Sequence, residues 1–80
     1  MEAVGAGLSA IGNTPLVRLG KLVPAGAAEV WLKLEGGNPT GSYKDRMAVS
    51  VLTAALARGD ISPGETVVEF TGGSTGTALA

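Results

Sequence analysis

A single primary amine stands where a turn-rich loop meets an apolar run. Lys44 lies in the stretch Glu35-Gly36-Gly37-Asn38-Pro39-Thr40-Gly41-Ser42-Tyr43-Lys44-Asp45-Arg46. Gly36, Gly37, Asn38, Pro39 and Gly41 disfavour a helix, whereas the residues after Ser42 permit one. Ser42 and Asp45, three residues on, read as a variant capping box with Ser42 as N-cap. That spacing puts Lys44 in the first helical turn, where unpaired N–H groups and the macrodipole are positive. An ammonium is ill placed there, and a neutral amine is what Schiff-base chemistry needs. The competing reading is a solvated surface lysine. On that reading Asp45 and Arg46 are an ordinary exposed pair worth under about 1 kcal/mol, and Lys33 and Glu35 are the polar face of a strand.

A second group with chemical potential is Thr71-Gly72-Gly73-Ser74-Thr75-Gly76. Backbone N–H groups bared by glycine, hydroxyl side chains and a following helix start make an anion site for a phosphate or a carboxylate. No Lys-Ser/Thr follows the glycines and the G-x-G-x-x-G spacing is absent, so neither a Walker A nor a dinucleotide loop is present. A strand-to-helix turn with no ligand fits the same residues.

The elements around these groups follow from pattern. Residues 1–10 read as a loose arm or a short helical turn. Ile11-Gly12-Asn13-Thr14-Pro15 is turn chemistry ahead of a short strand, Leu16 to Leu19. Pro24 and Gly26 mark a loop. From Glu29 to Glu35, Val30, Leu32 and Leu34 alternate with polar neighbours, which predicts a second strand. Asp45 to Arg58 predicts a helix whose polar side is only Arg46, Ser50 and Thr53, so burial on most sides is expected. Gly59 is its stop. Thr66 to Phe70 predicts a third strand, and Thr77 to Ala80 the start of a second helix. Strand, helix, strand, helix is the opening of a parallel α/β sheet, which needs cover on both faces. These 80 residues are therefore expected to be the N-terminal piece of a larger enzyme.

Composition narrows the function further. The chain is 45% hydrophobic and 16% charged with a net charge of −1, which argues against a nucleic-acid footprint or a polybasic membrane patch. It has no cysteine and no histidine. Thiol catalysis, Cys/His metal sites and Ser-His-Asp triads are thus excluded within these residues, and no metal is expected. The longest apolar-rich run, Met47 to Ala57, is too short to span a bilayer.

Three blocks in order resemble the cysteine synthase and cystathionine β-synthase family of pyridoxal-phosphate enzymes. They are Ile11 to Leu19, then Lys33-Leu34-Glu35 with Asn38-Pro39, Ser42 and Lys44-Asp45-Arg46, and finally Thr71 to Gly76. The resemblance implies the tryptophan-synthase-β-like fold (fold type II), a two-domain α/β architecture on parallel sheets. Residues 1–80 would be an N-terminal fragment of its catalytic region, inactive alone, with the cofactor-phosphate loop lying later. It implies that Lys44 forms the Schiff base with pyridoxal 5′-phosphate and then serves as base and acid at the substrate Cα. Thr71, Gly72, Gly73, Ser74 and Thr75 would hold the substrate carboxylate. Ser74 would also face the cofactor, at a position where the family usually has asparagine. Tyr43 stands in place of the usual small aliphatic residue, and Gly72 in place of a serine. The implied reaction is β-replacement, in which an O-activated serine and sulfide give cysteine. A threonine synthase- or dehydratase-like elimination, or a non-catalytic member that binds an amino acid, are the alternatives. A cytoplasmic homodimer acting on a small amino acid, without nucleic-acid or membrane partners, is the expected setting.

Overall fold

Turn chemistry at Gly12 to Pro15 sets the entry to the first strand. A computed structural model describes residues 8–80, so the expectation for residues 1–7 lies outside the described residues. Leu8 to Ala10 form a turn, closed by the Ile11 N–H donating to the Leu8 carbonyl at 3.2 Å. Gly12 and Asn13 both take positive φ, +87° and +50°. These are the residue types that tolerate that region, and together they turn the chain into β1 (Leu16–Leu19).

β1 pairs antiparallel with β2 (Val30–Lys33), with Leu16 opposite Lys33 and Leu19 opposite Val30. The Leu34 N–H extends the ladder to the Pro15 carbonyl at 2.9 Å. β2 is shorter than the Glu29–Glu35 run expected from alternation. Its C-terminal end turns into a 3-10 turn over Glu35–Gly37, where two glycines in a row favour a turn over a strand.

After a second turn at Asn38 to Gly41, α1 runs from Lys44 to Arg58. It starts one residue before the expected Asp45. Ser42 is not its N-cap: the Ser42 hydroxyl accepts only the Lys44 N–H, at 3.2 Å. Asp45 does not reach back to Ser42 either. Its carboxylate accepts the Thr40 N–H at 2.8 Å and the Thr40 hydroxyl. The capping box is therefore built two residues upstream of its expected partner, because Gly41 at φ +86° folds Thr40 back over the helix start. The expected stop is present: Gly59 is left-handed, and the Asp60 N–H closes onto the Ala55 carbonyl at 2.9 Å.

Two expectations are corrected. First, the third strand expected over Thr66 to Phe70 is not formed, and the sheet among the described residues is the antiparallel β1–β2 pair. Residues 66–70 carry no ladder, and Val68 and Phe70 are 89% and 87% exposed. A strand exists only where a neighbour takes its N–H and C=O groups, and β1 and β2 satisfy each other. Second, α1 is not buried on most sides. Only Asp45 and Ala48 of its residues are buried, and Val51 and Leu56 are about half exposed. The second helix, α2 (Ser74–Leu79), packs against α1 but covers one side only. The Cα radius of gyration is 16.7 Å, against about 12 Å expected for a compact domain of this length. The described residues leave much of their apolar surface open.

Candidate active site

The buried centre of the described residues is polar. Asp45 is 2% exposed, Asn38 and Ala48 4%, and Thr14 7%. Three of these four are polar, and they lie where the turn before β1, the 3-10 turn and the start of α1 meet. Buried polar groups persist only when paired, and each of these is. The Gly12 N–H donates to Asn38 Oδ1 at 2.7 Å. Asn38 Nδ2 donates to the Glu35 carbonyl at 2.9 Å and to Glu35 Oε1 at 3.0 Å. Arg46 grips the Glu35 carboxylate with a fork, Nε to Oε1 at 2.5 Å and Nη2 to Oε2 at 3.1 Å. Arg46 Nη2 also donates to Thr14 Oγ1 at 3.2 Å, and the Thr14 hydroxyl donates in turn to Glu35 Oε2. Lys33 Nζ donates to the Thr14 carbonyl at 2.5 Å. The reading of Arg46 as half of an exposed pair with Asp45 is thus replaced. The two residues have separate partners, and Asp45 is buried.

The Arg46 guanidinium, then the Thr14 hydroxyl, hold the Glu35 carboxyl down from its ordinary 4.5 to about 2. Arg46 is raised in return by the same contact. The folded value of Glu35 is the lower one, so its charged form stabilises the fold fully above about pH 4.5. That contribution fades as pH falls from 4.5 toward 2. Acid unfolding of the intact protein, followed by far-ultraviolet circular dichroism, should therefore steepen in that window. Glu35→Gln should flatten the profile there, and an unchanged slope would mean that the pairing is not formed in solution.

Lys44 is the first residue of α1 and is half-buried. Its Nζ lies 5.1 Å from the centroid of the exposed Tyr43 ring. The ion pairs of the described residues use Arg18, Arg46 and Arg58, so the Lys44 amine is committed to no carboxylate. The helix start expected around Lys44 is present, with its anchors supplied by Asp45 and Arg46.

The Thr71 to Gly76 segment is half loop and half helix. α2 begins at Ser74, three residues before the expected start. The cause is Thr71, whose Oγ1 accepts the N–H groups of Gly73 and Gly76, both at 3.0 Å. This ties the loop onto the first turn. Gly73, at φ +152°, makes the bend. Gly76 leaves room for Thr71, because a Cβ there would lie 2.5 Å from Thr71 Cγ2. Two N–H groups are thus already used. Those of Gly72, Ser74 and Thr75 remain, with the Ser74 and Thr75 hydroxyls beside them. A cleft of about 260 Å³, lined by Val67, Glu69, Thr71 and Gly76 among others, opens under this loop. Lys44 does not line it. The structure links the two groups through the packing of α2 on α1.

The donor set of an uncommitted amine, hydroxyls and unpaired backbone N–H groups suits an aldehyde-bearing cofactor and an amino-acid carboxylate. Residues 8–80 match the family described as "Pyridoxal-phosphate dependent enzyme". The chain belongs to that family. Its members depend on pyridoxal phosphate, and the resemblance to cysteine synthases is borne out. The chain is 57% identical over 70 residues to cysteine synthase B of Escherichia coli (strain K12), covering 88% of this chain and 23% of that protein. Among solved structures, O-ureido-L-serine synthase is 48% identical with a TM-score of 0.79, over 91% of this chain and 23% of that one. O-Acetyl serine sulfhydrylase isoform 3 from Entamoeba histolytica is 36% identical with a TM-score of 0.80, over 91% and 23%. The chain thus spans about a quarter of the length of the pyridoxal-phosphate enzymes that it matches. The α/β character of this segment is common to them.

Residue-level reasoning on the sequence missed the cluster of Gly12, Thr14, Lys33, Glu35, Asn38 and Arg46. The available signal was that every member lies inside the first two resemblance blocks, although most have no chemistry assigned to them.

Proposed function

We propose that this chain forms the lysine-bearing part of a pyridoxal-phosphate-dependent enzyme that carries out β-replacement on an O-substituted serine, with sulfide as the acceptor that yields cysteine. One observation carries the proposal: Lys44 heads α1 with its amine free of any ion pair, while its neighbours Asp45 and Arg46 are both tied down. Lys44 Nζ would hold the cofactor through its aldehyde group. At the substrate Cα the same amine would take and return the proton, a role that requires a neutral amine within hydrogen-bond reach. The cofactor, when bound, supplies the electron sink for the charge left at Cα. The free N–H groups of Gly72, Ser74 and Thr75, with the Thr71, Ser74 and Thr75 hydroxyls, hold the substrate carboxylate. Gly73 shapes the bend. By the family resemblance Ser74 would also face the cofactor, with its short hydroxyl in place of a longer amide.

The names of two similar structures, O-ureido-L-serine synthase and O-acetyl serine sulfhydrylase, support an O-substituted serine as the substrate class. The described residues include no helix long and apolar enough to cross a membrane. We infer a cytoplasmic homodimer for the intact protein. The test is to incubate the intact protein with O-acetylserine and sulfide, and separately with threonine or serine alone. Cysteine formation in the first arm only is expected. Keto-acid release from threonine would favour an elimination enzyme. Amino-acid binding without turnover would favour a non-catalytic member.

The loop geometry gives a further expectation. Gly76→Ala drives a methyl into Thr71 Cγ2, so Thr71 must rotate and release the Gly73 and Gly76 N–H groups. The KM for the amino-acid substrate should rise by about tenfold, the equivalent of one or two hydrogen bonds, while cofactor capture on Lys44 is kept. Steady-state kinetics beside borohydride trapping separates the two effects.

A further inference from the structure

We infer that Arg46, through Glu35, is a positioning residue that aims the Lys44 amine; the inference rests on the reading of Lys44 given above. Lys44, Asp45 and Arg46 are consecutive in the first turn of α1, so their side chains leave the helix about 100° apart. Asp45 is anchored to Thr40 on one side. Arg46 is anchored on another side to Glu35 and Thr14, which are themselves fixed to the turn before β1 and to Asn38. Two anchors at different angles fix the rotation of the turn about its axis, and with it the direction of the third side chain.

The Glu35 grip is built to be rigid. It is bidentate, and a planar guanidinium holds a carboxylate in one geometry where an ammonium does not. The carboxylate also accepts the Thr14 hydroxyl and Asn38 Nδ2, so it cannot swing away with Arg46. Gly12 completes the fit, because a Cβ there would lie 3.1 Å from Arg46 Nη1, at a φ of +87° that side chains avoid. No member of this cluster other than Arg46 belongs to the helix that it orients. Thr14 and Arg46 are 32 residues apart, so the cluster links the N-terminal turn to the amine across the whole strand pair.

Aim matters most when the Lys44 amine attacks the cofactor aldehyde carbon, forming the C–N bond with loss of one water. The experiment uses the intact protein stripped of cofactor and then supplied with pyridoxal phosphate. The rate of covalent attachment is followed by absorbance, and the site is mapped by borohydride reduction and mass analysis. Pyridoxine 5′-phosphate, which has the ring and phosphate but no aldehyde, reports non-covalent binding separately. Arg46→Ala should attach cofactor at least about tenfold more slowly while binding pyridoxine phosphate within about twofold of the parent, since a misplacement near 1 Å costs rate rather than affinity. Arg46→Lys, which keeps the charge but not the fork, should fall between. Glu35→Gln should reproduce the pattern if Arg46→Ala folds poorly. Equal loss of attachment and pyridoxine phosphate binding, or no change in either, overturns the inference. Capture of the cofactor by a lysine other than Lys44 in the unaltered protein overturns the Lys44 reading itself.

Discussion

Replacing Lys44 with alanine is expected to abolish covalent capture of pyridoxal phosphate by the intact protein and to lower turnover by at least about 10³-fold. The magnitude follows from the two roles proposed for Lys44, lost together. A positioned proton-transfer group contributes roughly 10²- to 10⁴-fold, and the nucleophile that holds the cofactor aldehyde disappears as well. The chain offers three lysines, and the structure separates them. Lys21 is exposed in the loop between β1 and β2. Lys33 is committed to the Thr14 carbonyl. Lys44 alone heads a helix with its amine unpaired to any acid. Because Lys44 makes no ion pair among the described residues, the variant should keep close to the melting temperature of the cofactor-free parent, so loss of activity with retained apo stability is the signature. Borohydride reduction followed by peptide mapping checks it. A cofactor adduct of unchanged yield in Lys44→Ala would sink the assignment.

The local features of the site were legible in the sequence, and its long-range links were not. A run of turn formers ending at Ser42, followed by apolar residues, marked the helix start that carries Lys44. Alternation marked β1 and β2, and Gly59 marked the end of α1. These signals are local, since each depends on residues within about one or two turns. Residues 66–70 show where that logic stops. Thr66 to Phe70 has the composition of a strand, but a strand also needs a neighbour, and composition does not supply one. The polar cluster was hidden for a related reason. Thr14 meets Glu35 across 21 residues and Arg46 across 32, and no local spacing rule connects positions so far apart. Each of these side chains alone looks like a solvated polar residue. Asp45 was placed correctly as a first-turn acid, but its partner was taken to be Ser42 when Gly41 in fact brings Thr40 over the helix end.

Asp45→Ala should be the most destabilising single substitution at the site, by about 3 kcal/mol. Asp45 is 2% exposed, so its removal leaves a gap at the start of α1, while its partner Thr40 lies at the surface. The Thr40 N–H and hydroxyl each lose a charged acceptor, and a hydrogen bond to a charged group contributes about 1.5–3 kcal/mol. Loss of the negative charge from the first turn of α1 adds about 0.3–1 kcal/mol. Asp45→Asn retains one acceptor oxygen and should lose only about half as much. A double-mutant cycle with Thr40→Ala isolates the pair. If the two groups act through each other, Asp45→Ala should cost little more once Thr40 is already alanine, and the coupling should reach about 1 kcal/mol or more. Additive losses would place the effect of Asp45 elsewhere. Urea unfolding of the intact protein supplies the free energies. Hydrogen exchange localises them, with faster exchange expected at Thr40 and across Lys44 to Arg46 but not at the Gly59 end of α1. The contrast with Lys44→Ala is the point of measuring both. Adjacent residues of one helical turn should divide cleanly, the first controlling chemistry with little effect on stability and the second holding in place the turn on which that chemistry depends.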